Sequence, residues 1–209
     1  MAFDFKKEYP EYYLPQGKPA IVNVPAMQFV AVTGQGDPNE EGGDYQRALA
    51  VLYAVSYTLR MSEKGGRAID GFFEYVVPPL EGFWRREDAS SADPGDKTGF
   101  CWTSVIRLPD FVAQADFDWA VAEAQRKKKL DCSAARLARI EEGLCVQAMH
   151  IGSYDDEPAT IAAMAAYAAQ QGYRIDIGPA RLHHEIYLSD PRRTAPEKRK
   201  TVIRYPIAK

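Results

Sequence analysis

A short pattern that occurs twice decides the fold: CWTSVIRLP at residues 101–109 and KTVIRYP at residues 200–206. Both stretches contain Val-Ile-Arg-x-Pro. Each follows an apolar and aromatic segment that ends in proline, FFEYVVPP at 72–79 and HHEIYLSDP at 183–191. The order of the two elements is therefore the same in both halves of the chain, which indicates an internal repeat.

The elements upstream of these pairs extend the repeat. MQFVAVTGQGD (27–37) parallels CVQAMHIGSYDD (145–156), because both are strand-like runs that end in glycine followed by acidic residues. Apolar residues at helical spacing then predict a helix over about 44–62 in the first copy and over about 158–171 in the second. Each copy is thus predicted to begin with a strand followed by a helix.

The complete pattern predicts an α+β protein made of two tandem strand–helix–strand–strand modules with pseudo-two-fold symmetry. We expect an antiparallel sheet with helices on one face, and a central ligand cleft between the modules. The chain, 1–209, is interpreted as a single domain, with module one over about 19–112 and module two over about 141–209. Linking helices are expected over about 113–140.

Two local features complete this prediction. In the linking segment, the stretch 115–129 has a clear apolar stripe, and a short second helix is expected over 133–140. Module one carries about fifteen extra residues at 80–97, and their later, polar part predicts a loop.

Composition narrows the possible functions. The chain has 209 residues and a net charge of -3, which argues against a nucleic-acid partner because phosphate binding requires a concentrated basic surface. It contains no apolar run near the ~20 residues that a membrane helix needs and no apolar signal segment, so we expect a cytoplasmic protein without membrane contact. Three widely spaced cysteines fit neither a disulfide framework nor a metal site. The oligomeric state stays open.

Four longer stretches resemble the GyrI-like small-molecule-binding family, and in particular its stand-alone members, which lack a DNA-binding domain. They are VPPLEGFW (77–84), FCWTSVIRLPDF (100–111), EEGLCVQAMHIGSYDDEPATI (141–161) and HHEIYLSDPRRTAPEKRKTVIRYP (183–206). The resemblance extends from about residue 19 to the end of the chain.

The resemblance implies both a ligand site and an activity. Related domains follow helix-turn-helix segments in multidrug-responsive regulators, where a glutamate on a late strand meets cationic or aromatic ligands, and Glu185 matches that position. Some stand-alone members are implied to hydrolyse cyclopropanoid genotoxins of the duocarmycin and yatakemycin type by opening the three-membered ring with water. The first 18 residues are too short for a helix-turn-helix, so direct transcriptional regulation is disfavoured.

The strand that carries Glu185 has two faces. Strand alternation puts His183, Glu185 and Tyr187 on one face and Ile186 and Leu188 on the other, which we expect to lie under the helices. We predict that Glu185 orients and deprotonates a water, and that Tyr187 donates to the phenolate oxygen that forms when the ring opens. A plain ion pair for Glu185 and simple packing for Tyr187 remain open alternatives.

Aromatic side chains are expected to hold a flat ligand. For each candidate, core or surface packing is the open alternative. The predicted ligand contacts are Trp84, Tyr75, Tyr154, Trp102, Tyr57 and His150.

No metal and no cofactor are predicted, because His183 and His184 are adjacent in a strand and point to opposite faces. Three functions remain open from sequence. The first is a hydrolase of electrophilic aromatic compounds, which we favour. The second is a non-catalytic protein that binds or senses small aromatic or amphipathic ligands. The third is a protein-interaction role.

Overall fold

The structure, a computed structural model, describes residues 2–86 and 99–209. These residues contain nine β-strands and five α-helices. The helices are α1 Phe5–Glu8, α2 Pro10–Tyr13, α3 Asp44–Arg60, α4 Gln114–Lys128 and α5 Glu157–Gln170. The strands are β1 Ala20–Val24, β2 Met27–Gln35, β3 Leu80–Arg86, β4 Phe100–Arg107, β5 Arg136–Ile140, β6 Gly143–Ile151, β7 Arg174–Ile175, β8 His183–Tyr187 and β9 Lys200–Ala208. Among these described helices, none is long and apolar enough to cross a membrane.

The repeated strand–helix–strand–strand pattern is confirmed. The first copy is β2–α3–β3–β4, and the second is β6–α5–β8–β9 with the two-residue strand β7 added before β8. The Val-Ile-Arg sequence lies on β4 in the first copy and on β9 in the second, and both arginines, Arg107 and Arg204, are buried. Every defined register between the named strands is antiparallel, so the α+β class is also confirmed.

The described residues separate into two compact units. The first unit comprises 2–4, 27–78, 84–86 and 99–140. In it, β2 pairs with β4 on one side and with β5 on the other. Helix α3 packs on β2 and β4, and α4 packs against α3. The segment between the two sequence copies, including α4 and β5, therefore belongs to the first unit.

The second unit comprises residues 5–26, 79–83 and 141–209. Its strands follow the order β1-β6-β9-β8, with the first residues of β3 next to β8 and with β7 on β9. Its apolar core lies between α5 and the sheet; the residues are Val146, Ala148, Met164, Ala168, Ile203 and Ile207. The N-terminal segment with α1 and α2, which the repeat pattern did not include, belongs to this unit.

Two local predictions were wrong. The stretch 133–140 forms β5 rather than a second linking helix, because five residues gain more from pairing with the edge of β2 than from an isolated helical turn. The segment 72–79 is not a strand; it makes a single bridge from Tyr75 to Phe3, since the two prolines at its end have no N–H to donate. The strand of module one that precedes β4 is β3. The loop predicted farther along, over 87–97, lies outside the described residues.

The orientation of β8 also differs from the expected one. Residues directly opposite each other in an antiparallel pair share a face, and Glu185 lies opposite Ile203 of β9. Ile203 belongs to the core beneath α5, so Glu185 faces the α5 side of the sheet. Ile186 is buried as expected, but on the other face, opposite Val202. The helix α5 therefore covers the glutamate face and not the isoleucine face.

A buried arginine ties the N-terminal segment to the sheet of the second unit. Arg204 is 2% exposed, and its Nη1 donates to Glu142 Oε1 over 2.6 Å. Its Nε donates to Gln147 Oε1 at 3.0 Å, and its Nη2 donates to the carbonyl oxygen of Tyr12 at 2.7 Å. All the charge-bearing nitrogens of this guanidinium therefore have acceptors, which a buried cation requires.

His184 continues this network onto β8. Its Nδ1 lies 3.0 Å from Glu142 Oε2, and its Nε2 lies 3.0 Å from Glu81 Oε2. The ring stacks on Phe83 at a centroid distance of 4.0 Å, and Glu81 also accepts a hydrogen bond from the Tyr13 hydroxyl. Because both ring nitrogens face carboxylates, the geometry favours the doubly protonated imidazolium.

The charges of this buried cluster balance. Burial by itself lowers the pKa of His184, but attraction to Glu142 and hydrogen bonds to Glu142 and Glu81 outweigh it and raise the pKa. Burial likewise opposes ionisation of Glu142, yet His184 and Arg204 lower its pKa to about 2. Two carboxylates then face two cations, so no net charge is buried.

We expect Glu142→Gln to destabilise the protein by about 3–5 kcal/mol, because it leaves Arg204 and His184 buried without their shared counter-charge. Urea denaturation at pH 6 measures this, since Glu142 is then ionised and His184 protonated. Glu141→Gln, an exposed neighbour, is the matched control and should change the free energy of unfolding by less than about 0.5 kcal/mol. If Glu142→Gln lowers the free energy of unfolding no more than Glu141→Gln does, the buried charge cluster does not stabilise the fold as described.

Candidate active site

Glu185 lies on β8 in a partly closed polar setting within the second unit. Its side chain is 13% exposed, and Oε2 accepts a hydrogen bond from the Tyr187 hydroxyl at 2.8 Å. Its Oε1 lies 3.1 Å from Nε2 of His183. The strand period of two brings these three side chains to one face, as predicted from sequence. The carboxyl group is thus hydrogen-bonded at Oε2, has the His183 ring beside Oε1, and still reaches the surface.

Tyr187 binds Glu185 directly. Its hydroxyl donates to Glu185 Oε2, so Tyr187 holds the carboxyl group in position. Because a tyrosine hydroxyl has one hydrogen, donation to a phenolate oxygen of a ligand would require that hydrogen to be redirected. The donor role of Tyr187 stays a prediction.

Glu157 is the residue that sequence reasoning missed. It is the first residue of α5, it is only 7% exposed, and its Oε1 has no hydrogen-bond partner among the described residues. One polar atom from each of Glu157, His183 and Glu185 lies within 4.8 Å of the others. A glutamate before a proline at a helix start is ordinarily an exposed first-turn acid, so nothing in the local pattern indicates that this one is buried.

The environment of Glu157 favours its protonated form. Burial, then the charges of Glu185 and Asp155, raise its pKa from 4.5 to about 9. The N-terminus of α5 acts in the opposite direction, but such a dipole supplies only about 0.3–1 kcal/mol, less than one pKa unit. At neutral pH Glu157 therefore keeps its proton. A protonated carboxyl group next to a second carboxyl group is typical of acid–base sites.

Aromatic rings surround this pair. Tyr154, a predicted ligand contact, is 37% exposed and meets Tyr187 edge to face at 6.0 Å. The Arg199 guanidinium lies over the Tyr154 ring at 5.5 Å, and Tyr205 meets the His183 ring at 4.8 Å. Burial, followed by the charge of Glu185, raises the pKa of Tyr205 to about 12, so its hydroxyl stays protonated.

The two predicted tryptophans form a separate aromatic cluster in the first unit. Tyr45, at the start of α3, packs between the two indole rings. Its ring centroid lies 5.6 Å from that of Trp84 and 5.1 Å from that of Trp102. Trp84 lies on β3. Trp102 lies on β4 against Gly34 of β2, and any side chain at Gly34 would overlap the indole ring. The structure thus brings Trp84 and Trp102 together, with Tyr45 as a member that the sequence did not single out.

Three other predicted contacts lie elsewhere. Tyr75 is fully buried, with burial raising its pKa strongly, and packs in an aromatic core with Phe73 and Phe111; it does not line an open site. Tyr57 is 53% exposed on α3 and stacks on Tyr53. Neither position supports the predicted ligand contact.

His150 makes two contacts within the protein, and its predicted contact with a ligand stays a prediction. Its Nδ1 lies 2.9 Å from the Thr160 hydroxyl, and its Nε2 lies 2.9 Å from the Ser153 carbonyl oxygen. Both ring nitrogens are therefore used to fix the connection between β6 and α5. Gly152, at a φ of +153°, allows this close approach, because a Cβ there would lie 3.1 Å from the imidazole. This connection sets the start of α5 and so places Glu157.

The distances among Glu157, His183 and Glu185 would by themselves suit a metal ion. A proton on Glu157 also relieves the repulsion between the two carboxyl groups, and Tyr187 already binds Glu185. The cluster thus has an explanation that requires no ion. That the protein uses no metal stays a prediction.

The fold and this site define a small-molecule-binding domain. A model of the GyrI-like small molecule binding domain family matches residues 17–208, so the chain belongs to this family and the resemblance noted from sequence is confirmed. A comparison with curated proteins found no match.

Two solved structures from Listeria innocua are similar over nearly the whole length. A hydrolase is 44% identical with a TM-score of 0.90, and the match covers 99% of this chain and 100% of that one. An uncharacterized conserved protein is 46% identical with a TM-score of 0.92 and the same coverage. The C-terminal domain of EcmrR is 10% identical over 93% of this chain and 99% of that one, with a TM-score of 0.56, and so shows the fold alone.

We expect Glu157→Gln to stabilise the protein, and increasingly so at higher pH. Because folding raises the pKa of Glu157 from 4.5 to about 9, keeping its proton costs nothing below pH 4.5, and the cost grows as the pH rises toward 9. The amide cannot ionise and avoids this cost. Thermal melting should show that the midpoint temperature of Glu157→Gln exceeds that of wild type by about 3 °C or more at pH 8, and by less at pH 5. Glu141→Gln is the control, and an equal shift at both pH values would contradict a buried protonated Glu157.

Proposed function

We propose that this protein hydrolyses cyclopropanoid or similar electrophilic aromatic genotoxins by adding water to the strained ring, and so protects the cell. The observation that carries the proposal is the carboxyl pair: Glu157 is buried within 4.8 Å of Glu185, and burial raises the pKa of Glu157 to about 9. Membership of a small-molecule-binding family and the similarity to a Listeria innocua hydrolase support it.

The chemistry assigned to Glu185 follows from its surroundings. The attacking water must lose a proton as its oxygen bonds to the ring methylene, and a positioned carboxylate accepts that proton. The breaking carbon–carbon bond delivers its electron pair into the conjugated dienone, which becomes a phenolate. Tyr187 holds the carboxylate at Oε2 and His183 faces Oε1, so both act as positioning residues.

The ligand class is argued from the rings next to this carboxylate. Tyr154 and Tyr187 present an edge-to-face pair, and Tyr154 keeps more than a third of its surface exposed. An exposed aromatic side chain beside a charged group suits a flat, partly polar aromatic molecule. Trp84 and Trp102 remain proposed ligand contacts of the first unit.

A non-catalytic role is the second candidate, because the family is described by small-molecule binding rather than by a reaction. In that case Glu185 would pair with a cationic or hydrogen-bonding group of the ligand. The two functions differ in one observable: only the hydrolase changes the mass of its ligand.

Product analysis by mass spectrometry separates them. With a duocarmycin-type cyclopropanoid, wild type should add one water, and Glu185→Gln should do so about 100-fold more slowly or worse, since it lacks the base. Tyr187→Phe should lose less activity, because it retains the carboxylate but not its hydrogen bond. Quenching of tryptophan fluorescence by the ligand shows whether each variant still binds.

Glu141→Gln, remote from the carboxyl pair in sequence and exposed, is the matched control and should behave as wild type. Tight binding without water addition by wild type would reject the catalytic function for this substrate class and favour the binding function. Equal rates for wild type and Glu185→Gln would reject Glu185 as the base.

A further inference from the structure

Glu157 is surrounded by titratable groups from three directions. His183 and Glu185 approach from β8, where Tyr187 binds Glu185, and Tyr205 lies on β9. Tyr154 and Asp155 lie in the short 3-10 turn Tyr154–Asp156 just before α5, and Arg199 packs over Tyr154. Among these groups, Glu157 is the most deeply buried acid, and its Oε1 is unpartnered within the described residues.

Two carboxyl groups at this separation do not both ionise readily when one of them is buried. Glu185 is the member with donors: the Tyr187 hydroxyl binds it, and the His183 ring lies beside it. Glu157 has no such donor at Oε1. The negative charge is therefore stabilised on Glu185, and the proton on Glu157.

We infer that Glu157 and Glu185 act as one proton-sharing pair with a single negative charge, in which Glu157 is the positioning residue that keeps the proton and Glu185 is the base. This role in turnover rests on the proposed hydrolase function, although the pair itself does not. The unpartnered Oε1 of Glu157 is then left to bind the reacting water or the ligand.

The reaction balances with Glu157 unchanged. Water forms a new carbon–oxygen bond to the ring methylene while one carbon–carbon bond of the cyclopropane breaks. Glu185 takes one proton from the water and releases it to solvent, and the phenolate takes one proton from solvent. A second negative charge on Glu157 would oppose the phenolate as it forms, so ionisation of Glu157 should stop the reaction.

The first test is the pH dependence of kcat/KM with a duocarmycin-type cyclopropanoid. Wild type should lose activity at alkaline pH, about tenfold per pH unit above the transition. Glu157→Gln, which cannot ionise, should lose this alkaline decline, whatever its rate at neutral pH. Glu185→Gln should be at least about 100-fold slower than wild type at every pH. Circular dichroism shows whether each variant is folded.

Two results would overturn the inference. One is an alkaline decline that persists unchanged in Glu157→Gln. The other is loss of wild-type activity on adding EDTA, which would assign the cluster to a cation instead of a proton.

A second measurement needs no turnover and keeps failure of the pair distinct from failure of the proposed hydrolase. Potentiometric titration of the ligand-free, folded proteins between pH 7 and pH 10.5 compares wild type with Glu157→Gln. Wild type should release one proton more than the variant. Equal proton release by the two proteins would overturn the inference of a proton-sharing pair, whether or not the protein turns over a cyclopropanoid. One extra proton from wild type without turnover would reject only the proposed hydrolase function.

Discussion

The buried contact of His184 with Glu81 and Glu142 fixes the strand on which the candidate site is built. His184 is fully buried, both of its ring nitrogens face carboxylates, and Arg204 completes the charge balance. Because side chains alternate along a strand, anchoring His184 on one face sets the position of its neighbours on the other. His183 and Glu185 are those neighbours. The strand β8 is thus rigid on one side and chemically functional on the other.

The repeat made most of the fold predictable from sequence. Val-Ile-Arg-x-Pro marks the last strand of each copy, and three helices begin and end within a few residues of their predicted bounds. The failures were at 72–79 and 133–140, where local pattern does not determine pairing. Aromatic and apolar residues around Tyr75 look strand-like, but the prolines after it withhold hydrogen-bond donors. The strand β5 depends on the edge of β2, which lies more than 100 residues away in the chain.

The site was only partly predictable. Alternation along β8 correctly grouped Glu185 with Tyr187, and the family resemblance pointed to Glu185. Neither alternation nor the resemblance could show that α5 covers the Glu185 face, since this follows from the pairing of β8 with β9. Glu157 could not be found for the same reason: its burial comes from packing against β8, whereas its sequence context is that of an ordinary helix start. The hydrogen bond from Tyr187 to Glu185 was not predicted either, because alternation places two side chains on one face without fixing the contact between them.

The measurement that most directly tests this account is a ¹³C NMR titration of the glutamate carboxyl groups, with signals assigned through Glu157→Gln and Glu185→Gln. The account predicts one carboxyl with a pKa of about 9 whose signal is missing in Glu157→Gln. It also predicts that the signal missing in Glu185→Gln belongs to a carboxylate that is ionised at pH 7. If every glutamate carboxyl is ionised at pH 7, the site contains no acid beside its base, and the account of the carboxyl pair is wrong.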